Sequence, residues 1–479
     1  MVRRREVRAT LGSGADLALR QGIQFVVLLL LARILTPADF GTVALLAIYV
    51  SLAGVVADLG LTTAIVQSRE LSRADISTAF LASTGVGLGL TVAGALLAVP
   101  LAGAFGKPAL GPLAALMSAS IFFTALGCVP SALLVRELQF GRLVIVGVIG
   151  TVSSGLVAVA LAISNQGVWA LAAQAVVMSM TTALGAWLAA QMRLSFHWAG
   201  ESARRLLGMG RFVLAANVCD AVYGRGQTLL IGGVFGPAPL GQYMRADSTQ
   251  QLPADAASAV VGRVALPLFA RSSDNRLALA NGLRTSLRSA MAVNAVVMAL
   301  LASLAGPLVT VLYGPRWDQA VPLLTLLAVA GLVWPMHVMN INALYAVGAA
   351  RTVFRIDLVK KGIAVALIGI GALFGLRGVA SAQIVIGLVA AWINARAAEE
   401  VTGVGPRQQA RLVLPIICVA LATGGLLWLA QHVWSGDSAL ELVVLGGVGG
   451  LGYVLLARLL GATAVGDTLN MMRAGRSTP

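Results

Sequence analysis

Ser13, Asp16, Arg20 and Gln24 recur at steps of three and four inside an apolar stretch running from about Gly12 to Leu35, a spacing that lays side chains along one face of a helix. Asp247, Gln251, Asp255 and Ser258 form a comparable stripe, with Arg245 and Arg263 near its two ends and Pro253, which can kink a helix, between them. Asp58 lies in a third apolar stretch, and Asn217, Asp220 and Arg225 lie in a fourth. Ideal helical geometry puts Asp220 and Arg225 on different faces. A charged side chain in hydrocarbon costs about 2.5–3.5 kcal/mol on the lenient insertion scale, so such groups face a partner or a watery cavity.

The chemistry follows from the residue types. A guanidinium presents a planar fork of donors that matches phosphate oxygens, which makes Arg20, Arg225 and Arg245 candidate phosphate ligands. Asp16, Gln24, Asp58, Asp220, Asp247 and Asp255 are candidate polar groups of the same cavity, suited to coupling by a proton or sodium ion. Structural alternatives stay open: Arg20 could pair with Asp16 or snorkel, Arg245 could sit at the interface, and the carboxylates could be charge partners or helix-end groups. Arg263 reads as a surface anchor. His337 and Asn340, a turn apart beside Trp334 and Pro335, read as satisfied core groups.

Other chemistries find no residues. Cys128, Cys219 and Cys418 are far apart in apolar segments and read as core cysteines, with neither a disulfide framework nor metal-ligand spacing. No Gly-rich phosphate loop with Lys-Ser/Thr is present. The short outer connections hold no catalytic grouping of His or paired carboxylates. The reading is of a protein that is not an enzyme and needs no cofactor.

The elements that position these groups follow from composition. The chain has 479 residues, 58% hydrophobic and only 11% charged, with a mean hydropathy of +0.88. Soluble domains carry roughly 25% charged residues. At about 20 apolar residues per crossing, the sequence predicts about fourteen spans, centred near residues 24, 50, 90, 123, 153, 178, 223, 252, 297, 332, 365, 387, 421 and 450. The expected fold is an all-α integral membrane protein. The first stretch, after Arg3-Arg4-Arg5, is too long for a cleaved signal core and reads as a retained helix.

Most of the 34 Lys and Arg residues fall in the tails and alternate loops, among them Arg351, Arg355, Lys360 and Lys361; the opposite loops hold only Arg33, Lys107, Arg316 and Arg377. By the positive-inside rule both termini are cytoplasmic. Basic residues at span ends also argue against nucleic acid as a partner.

Pro37-Ala38-Asp39-Phe40-Gly41 recurs as Pro237-Ala238-Pro239-Leu240-Gly241, and Phe105-Gly106-Lys107-Pro108 as Tyr313-Gly314-Pro315. This predicts two six-helix lobes in parallel repeat, a plan that places a substrate site between halves. The expected divisions are an N-terminal lobe over 1–192, an amphipathic cytoplasmic linker over 193–211, a C-terminal lobe over 212–398, and two additional helices with a tail over 399–479. The intramembrane polar groups concentrate in the first two spans of each half, whereas spans five, thirteen and fourteen carry almost none.

Leu31-Ala32-Arg33-Ile34-Leu35-Thr36-Pro37-Ala38-Asp39-Phe40-Gly41, then Asp58-Leu59-Gly60-Leu61 with Ala64-Ile65-Val66-Gln67, and Leu133-Leu134-Val135-Arg136-Glu137-Leu138-Gln139-Phe140 resemble segments of the Wzx-type polysaccharide flippases. That family belongs to the multidrug/oligosaccharidyl-lipid/polysaccharide exporter superfamily, and the resemblance is to its exopolysaccharide, colanic-acid-like subgroup. It implies a flippase of the bacterial inner membrane that moves undecaprenyl-pyrophosphate-linked oligosaccharide from the cytoplasmic to the periplasmic leaflet. It further implies alternating access driven by a transmembrane proton or sodium gradient, contact with membrane lipids, and work alongside a polysaccharide polymerase and export machinery. The family's cationic cavity maps onto Arg20, Arg225 and Arg245. A peptidoglycan lipid-precursor flippase and a cation-coupled drug antiporter of the same superfamily are the alternatives; the intramembrane arginines count against the antiporter.

Overall fold

In hydrocarbon each backbone N–H and C=O must be satisfied within the protein, which leaves helices and closed barrels as the ways to cross. The computed structural model describes residues 21–459 apart from 69, 105–107, 109, 193–196, 272–274 and 434–437. Among the described residues every regular element is helical. The described part of α1 is Gln21–Ile34. It is followed by α2 (Pro37–Asp58), α3 (Leu61–Gln67), α4 (Arg73–Ala104), α5 (Leu110–Arg136), α6 (Phe140–Ile163), α7 (Val168–Ala190) and α8 (Gly200–Phe235). Then come α9 (Pro237–Arg271), α10 (Arg276–Ser303), α11 (Ala305–Tyr313), α12 (Ala320–Gly331), α13 (Trp334–Ala346), α14 (Ala350–Ala372), α15 (Gly375–Thr402), α16 (Pro406–Val433) and α17 (Ser438–Leu459). Within α9, side chains are described for residues 237–254 and for Phe269.

Among the described residues, eleven helical segments are long and apolar enough to span a bilayer. The remaining expected spans coincide with α1, α9 and α14. By sequence α9 carries Arg245, Asp247, Asp255 and Arg263, and α14 carries Arg351, Arg355, Asp357, Lys360 and Lys361.

The chain divides into two compact units, Met1–Gly241 and Gln242–Pro479. The repeat predicts a division around the 193–211 connector. Instead α8 runs unbroken from Gly200 and packs on α2, α3 and α4, so the first unit includes it. Local contacts explain why. Arg205 forms an ion pair with Asp75, whose side chain is buried. The backbone N–H groups of His197 and Ala199 donate to Ser77 Oγ (3.1 Å) and Thr78 Oγ1 (3.0 Å). Gly60 and Gly210 lie so close that a Cβ at Gly60 would meet the Gly210 carbonyl oxygen at 2.3 Å.

The recurring motifs have physical roles in the first unit. Thr36 and Asp39 form a reciprocal capping box ahead of Pro37, which starts α2. Pro237 starts α9 in the same way, and the two first turns meet. A Cβ at Gly41 would sit 1.7 Å from the Pro237 carbonyl oxygen, and one at Gly241 would sit 1.9 Å from that of Pro37. The 200-residue repeat therefore marks a reciprocal backbone contact that only glycine permits. Arg136, in the Leu133–Phe140 motif, donates to the carbonyls of Ile65 (2.6 Å) and Ser68 (2.5 Å), closing the end of α3 where helical carbonyls lack partners.

The second unit is built around α10, whose buried Leu283, Leu287, Met291 and Met298 meet α12, α13, α15 and α16. The expected span near residue 332 is two helices, α12 and α13, broken at Leu332–Val333. Pro335 has no N–H to bond the Gly331 carbonyl, and Met336 N–H turns to Val333. The freed carbonyls of Gly331 and Leu332 accept instead from Asn294 Nδ2, at 2.9 and 3.2 Å.

Gly41→Ala and Gly241→Ala should each cost roughly 1–3 kcal/mol by overpacking, read as a lower thermal midpoint of the purified protein. Gly233→Ala, at a site with no atom within 4 Å of the added carbon, should be neutral. Equal midpoints for all three would contradict the reciprocal contact.

Candidate functional site

α2 ends at Asp58, where the chain passes through left-handed conformation at Leu59 (φ 54°) and Gly60 (φ 71°) before α3 starts. Only glycine adopts that region without steric cost, so two such residues in succession impose a sharp break. The Asp58 carboxylate spans the break. Its Oδ1 accepts from Thr62 N–H at 3.3 Å, from the Thr62 hydroxyl, and from the Cys128 thiol at 2.7 Å. α2, α3, α5 and α7 line an open recess of about 290 Å³ here, with Asp58, Thr62, Thr124, Cys128, Ser131 and Thr182 among its walls. A carboxylate ringed by hydroxyls suits a proton or a hydrated monovalent cation. The same hydrogen bonds also brace the α2–α3 break.

The other expected site residues are distributed more widely. Asp220 and Arg225 lie exposed along α8, and Gln24 lies exposed on α1. Arg245, by contrast, is only 8% exposed and interacts electrostatically with Tyr313. Thr249 ties that region together, bonding the Arg245 carbonyl at 2.6 Å and the Tyr313 hydroxyl at 2.7 Å. Arg245 is thus embedded in the second unit, beside the Tyr313-Gly314-Pro315 repeat. Asp247 is half-buried. Asp16 and Arg20 lie outside the described residues, as does the side chain of Asp255.

Several groups escape sequence reading. Cys128 reads as core, yet its thiol serves Asp58. Lys360 and Lys361 read as inner-loop charges, yet they lie on α14 and flank Asp357, at 3.5 and 2.9 Å. Their spacing from Asp357, three and four residues, is the available signal. Asn340 and Gln409, both buried, exchange amide hydrogen bonds at 2.9 and 2.8 Å, and Asn394 bonds His337 at 2.7 Å.

The family model described as "Polysaccharide biosynthesis protein" matches residues 30–322. The chain is 26% identical over 465 residues to the succinoglycan biosynthesis transport protein ExoT of Rhizobium meliloti, covering 95% of this chain and 92% of the relative. Its fold is similar to that of the lipid II flippase MurJ in an inward closed conformation, with a TM-score of 0.74 at 14% identity, over 94% of this chain and 98% of the other. It is also similar to an inward-facing multidrug resistance MATE family transporter of the MOP superfamily, with a TM-score of 0.58 at 17% identity, over 84% and 98%.

Asp58→Ala leaves the Thr62 and Cys128 donors without their acceptor and should cost roughly 1–3 kcal/mol. Asp58→Asn keeps a carbonyl oxygen at that place and should cost less. Thermal unfolding of the two purified variants distinguishes this bracing from a passive carboxylate, for which both would match the parent.

Proposed function

Because the chain belongs to the polysaccharide biosynthesis protein family, we propose that it flips undecaprenyl-pyrophosphate-linked oligosaccharide units from the cytoplasmic to the periplasmic leaflet for polysaccharide export. The observation that carries this reading is the family match over residues 30–322, together with a lipid-flippase fold along 94% of the chain. Sugars and a pyrophosphate cannot cross hydrocarbon unaided. A transporter with cationic groups at depth holds the phosphates by charge-assisted hydrogen bonds, while the polyprenyl tail stays in the bilayer.

In this reading Arg225, exposed on α8, contacts the pyrophosphate, and Arg20 supplies a second cation. Arg245, embedded beside Tyr313, sets the positive potential of the second unit. Alternating access is driven by a proton or sodium ion taken up at Asp58, where protonation or cation binding would loosen or tighten the α2–α3 break. The family match favours a polysaccharide repeat unit over the peptidoglycan precursor, because the likeness to the lipid II flippase is one of fold, at 14% identity. The cation-coupled drug antiporter is disfavoured by the arginines and by the lower fold similarity to the MATE transporter, 0.58 against 0.74.

Cells lacking the protein should accumulate lipid-linked repeat units facing the cytoplasm and lose the exported polymer. Normal polymer with no accumulated intermediate would refute the assignment. Arg225→Ala should lower export at least about tenfold, the 1.4 kcal/mol expected at minimum for a lost charge-assisted contact, with unchanged protein level in the membrane.

A further inference from the structure

The second unit holds a polar cluster that neither the phosphate nor the ion assignment uses. α13 ends at Ala346 and α14 starts at Ala350; α14 and α15 form the next hairpin, so the Thr402 end of α15 lies on the same side. Counting at 1.5 Å per residue, His337, Lys360 and Asn394 lie about 12–15 Å inside that side. The apolar run of α14 beyond them, from Gly362 to the helix end at Ala372, spans only about 15 Å, less than the roughly 30 Å of hydrocarbon. Asp357, Lys360 and Lys361 are therefore at hydrocarbon depth, where ionisable groups mark a functional cavity rather than a lipid-facing surface. The site also adjoins a discontinuous helix, the α12–α13 break, the feature around which transporters build midplane sites.

The geometry points to a saccharide. Trp334 is 41% exposed and stacks on His337 with ring centroids 5.1 Å apart and planes at 21°. It lies near the middle of its span, about 18 Å from Ala346, and so is no interfacial belt residue. Asn394 is fully buried and bonds His337 Nδ1 at 2.7 Å, while its Oδ1 has no hydrogen-bond partner. If the amide is reversed, its Nδ2 is left instead. A hydroxyl, being both donor and acceptor, answers either orientation. Lys360, 10% exposed in its side chain, and Asp357 both lie within electrostatic reach of His337. Asp357 can accept and Lys360 can donate, so the pair offers both hydrogen-bond roles that a sugar hydroxyl uses.

We propose that Trp334, His337, Asn394, Asp357 and Lys360 form a subsite for the sugar head group, which rests on the flippase reading above. A sugar ring lays its C–H face on the Trp334 ring while its hydroxyls bond His337, Asn394 and the Asp357–Lys360 pair.

The test uses the full chain in lipid nanodiscs and two probes: the lipid-linked intermediate isolated from cells lacking the protein, and undecaprenyl pyrophosphate without sugar. Trp334→Ala should weaken binding of the intermediate at least tenfold while leaving undecaprenyl pyrophosphate within twofold, which also reports that the variant is folded. Trp334→Phe should restore most of the affinity, and Asn394→Ala should lower it severalfold with the same selectivity. Undiminished binding of the intermediate by Trp334→Ala, or an equal loss for both probes, overturns the subsite alone. A parent protein that binds neither probe overturns the flippase reading and the subsite with it.

Discussion

The organising constraint is the intolerance of hydrocarbon for unanswered polar groups. Backbone amides are answered inside helices, and each departure from helix must be answered by a named side chain. Asn294 takes the two carbonyls that Pro335 frees between α12 and α13. Asp58 collects the donors at the α2–α3 break, and Arg136 closes the far end of α3. These residues sit in apolar surroundings because removing any of them would strand a buried partner, at a cost of about 1–3 kcal/mol each.

The same constraint explains why two polar clusters lie beside helix breaks. A break supplies backbone polarity and needs polar side chains, and a watery recess lowers the cost of both. In the first unit the break adjoins the Asp58 cavity; in the second it adjoins Trp334, His337 and Asn394. Each of these two breaks thus has a polar cluster beside it. A transporter gains from this arrangement because a helix already interrupted can shift its halves without losing further hydrogen bonds.

Glycine plays a narrower part than its abundance suggests. At Gly41 and Gly241 it permits reciprocal contact between the first turns of α2 and α9, and at Gly60 and Gly210 it seats α8 on the break below α2. These contacts show what the short repeated motif is for. Pro37 and Pro237 start the helices, and the glycine four residues later lets the two backbones touch.

Hydropathy and charge placement alone determined the membrane setting, the helical class and the approximate positions of the spans, because each of these depends on local transfer energies that a chain carries in its own order of residues. Two readings were misled by the same locality. Lys360 and Lys361 looked like loop charges since their flanking residues are also basic, and Cys128 looked like core since its neighbours are apolar. The grouping of α8 with the first unit, the burial of Arg245 against Tyr313, the Asn294 repair of the broken helix and the pairing of His337 with Asn394 were decided only by the tertiary structure. Each joins residues tens of positions apart, with energies set by distance, direction and dielectric, quantities that exist only once the helices have packed.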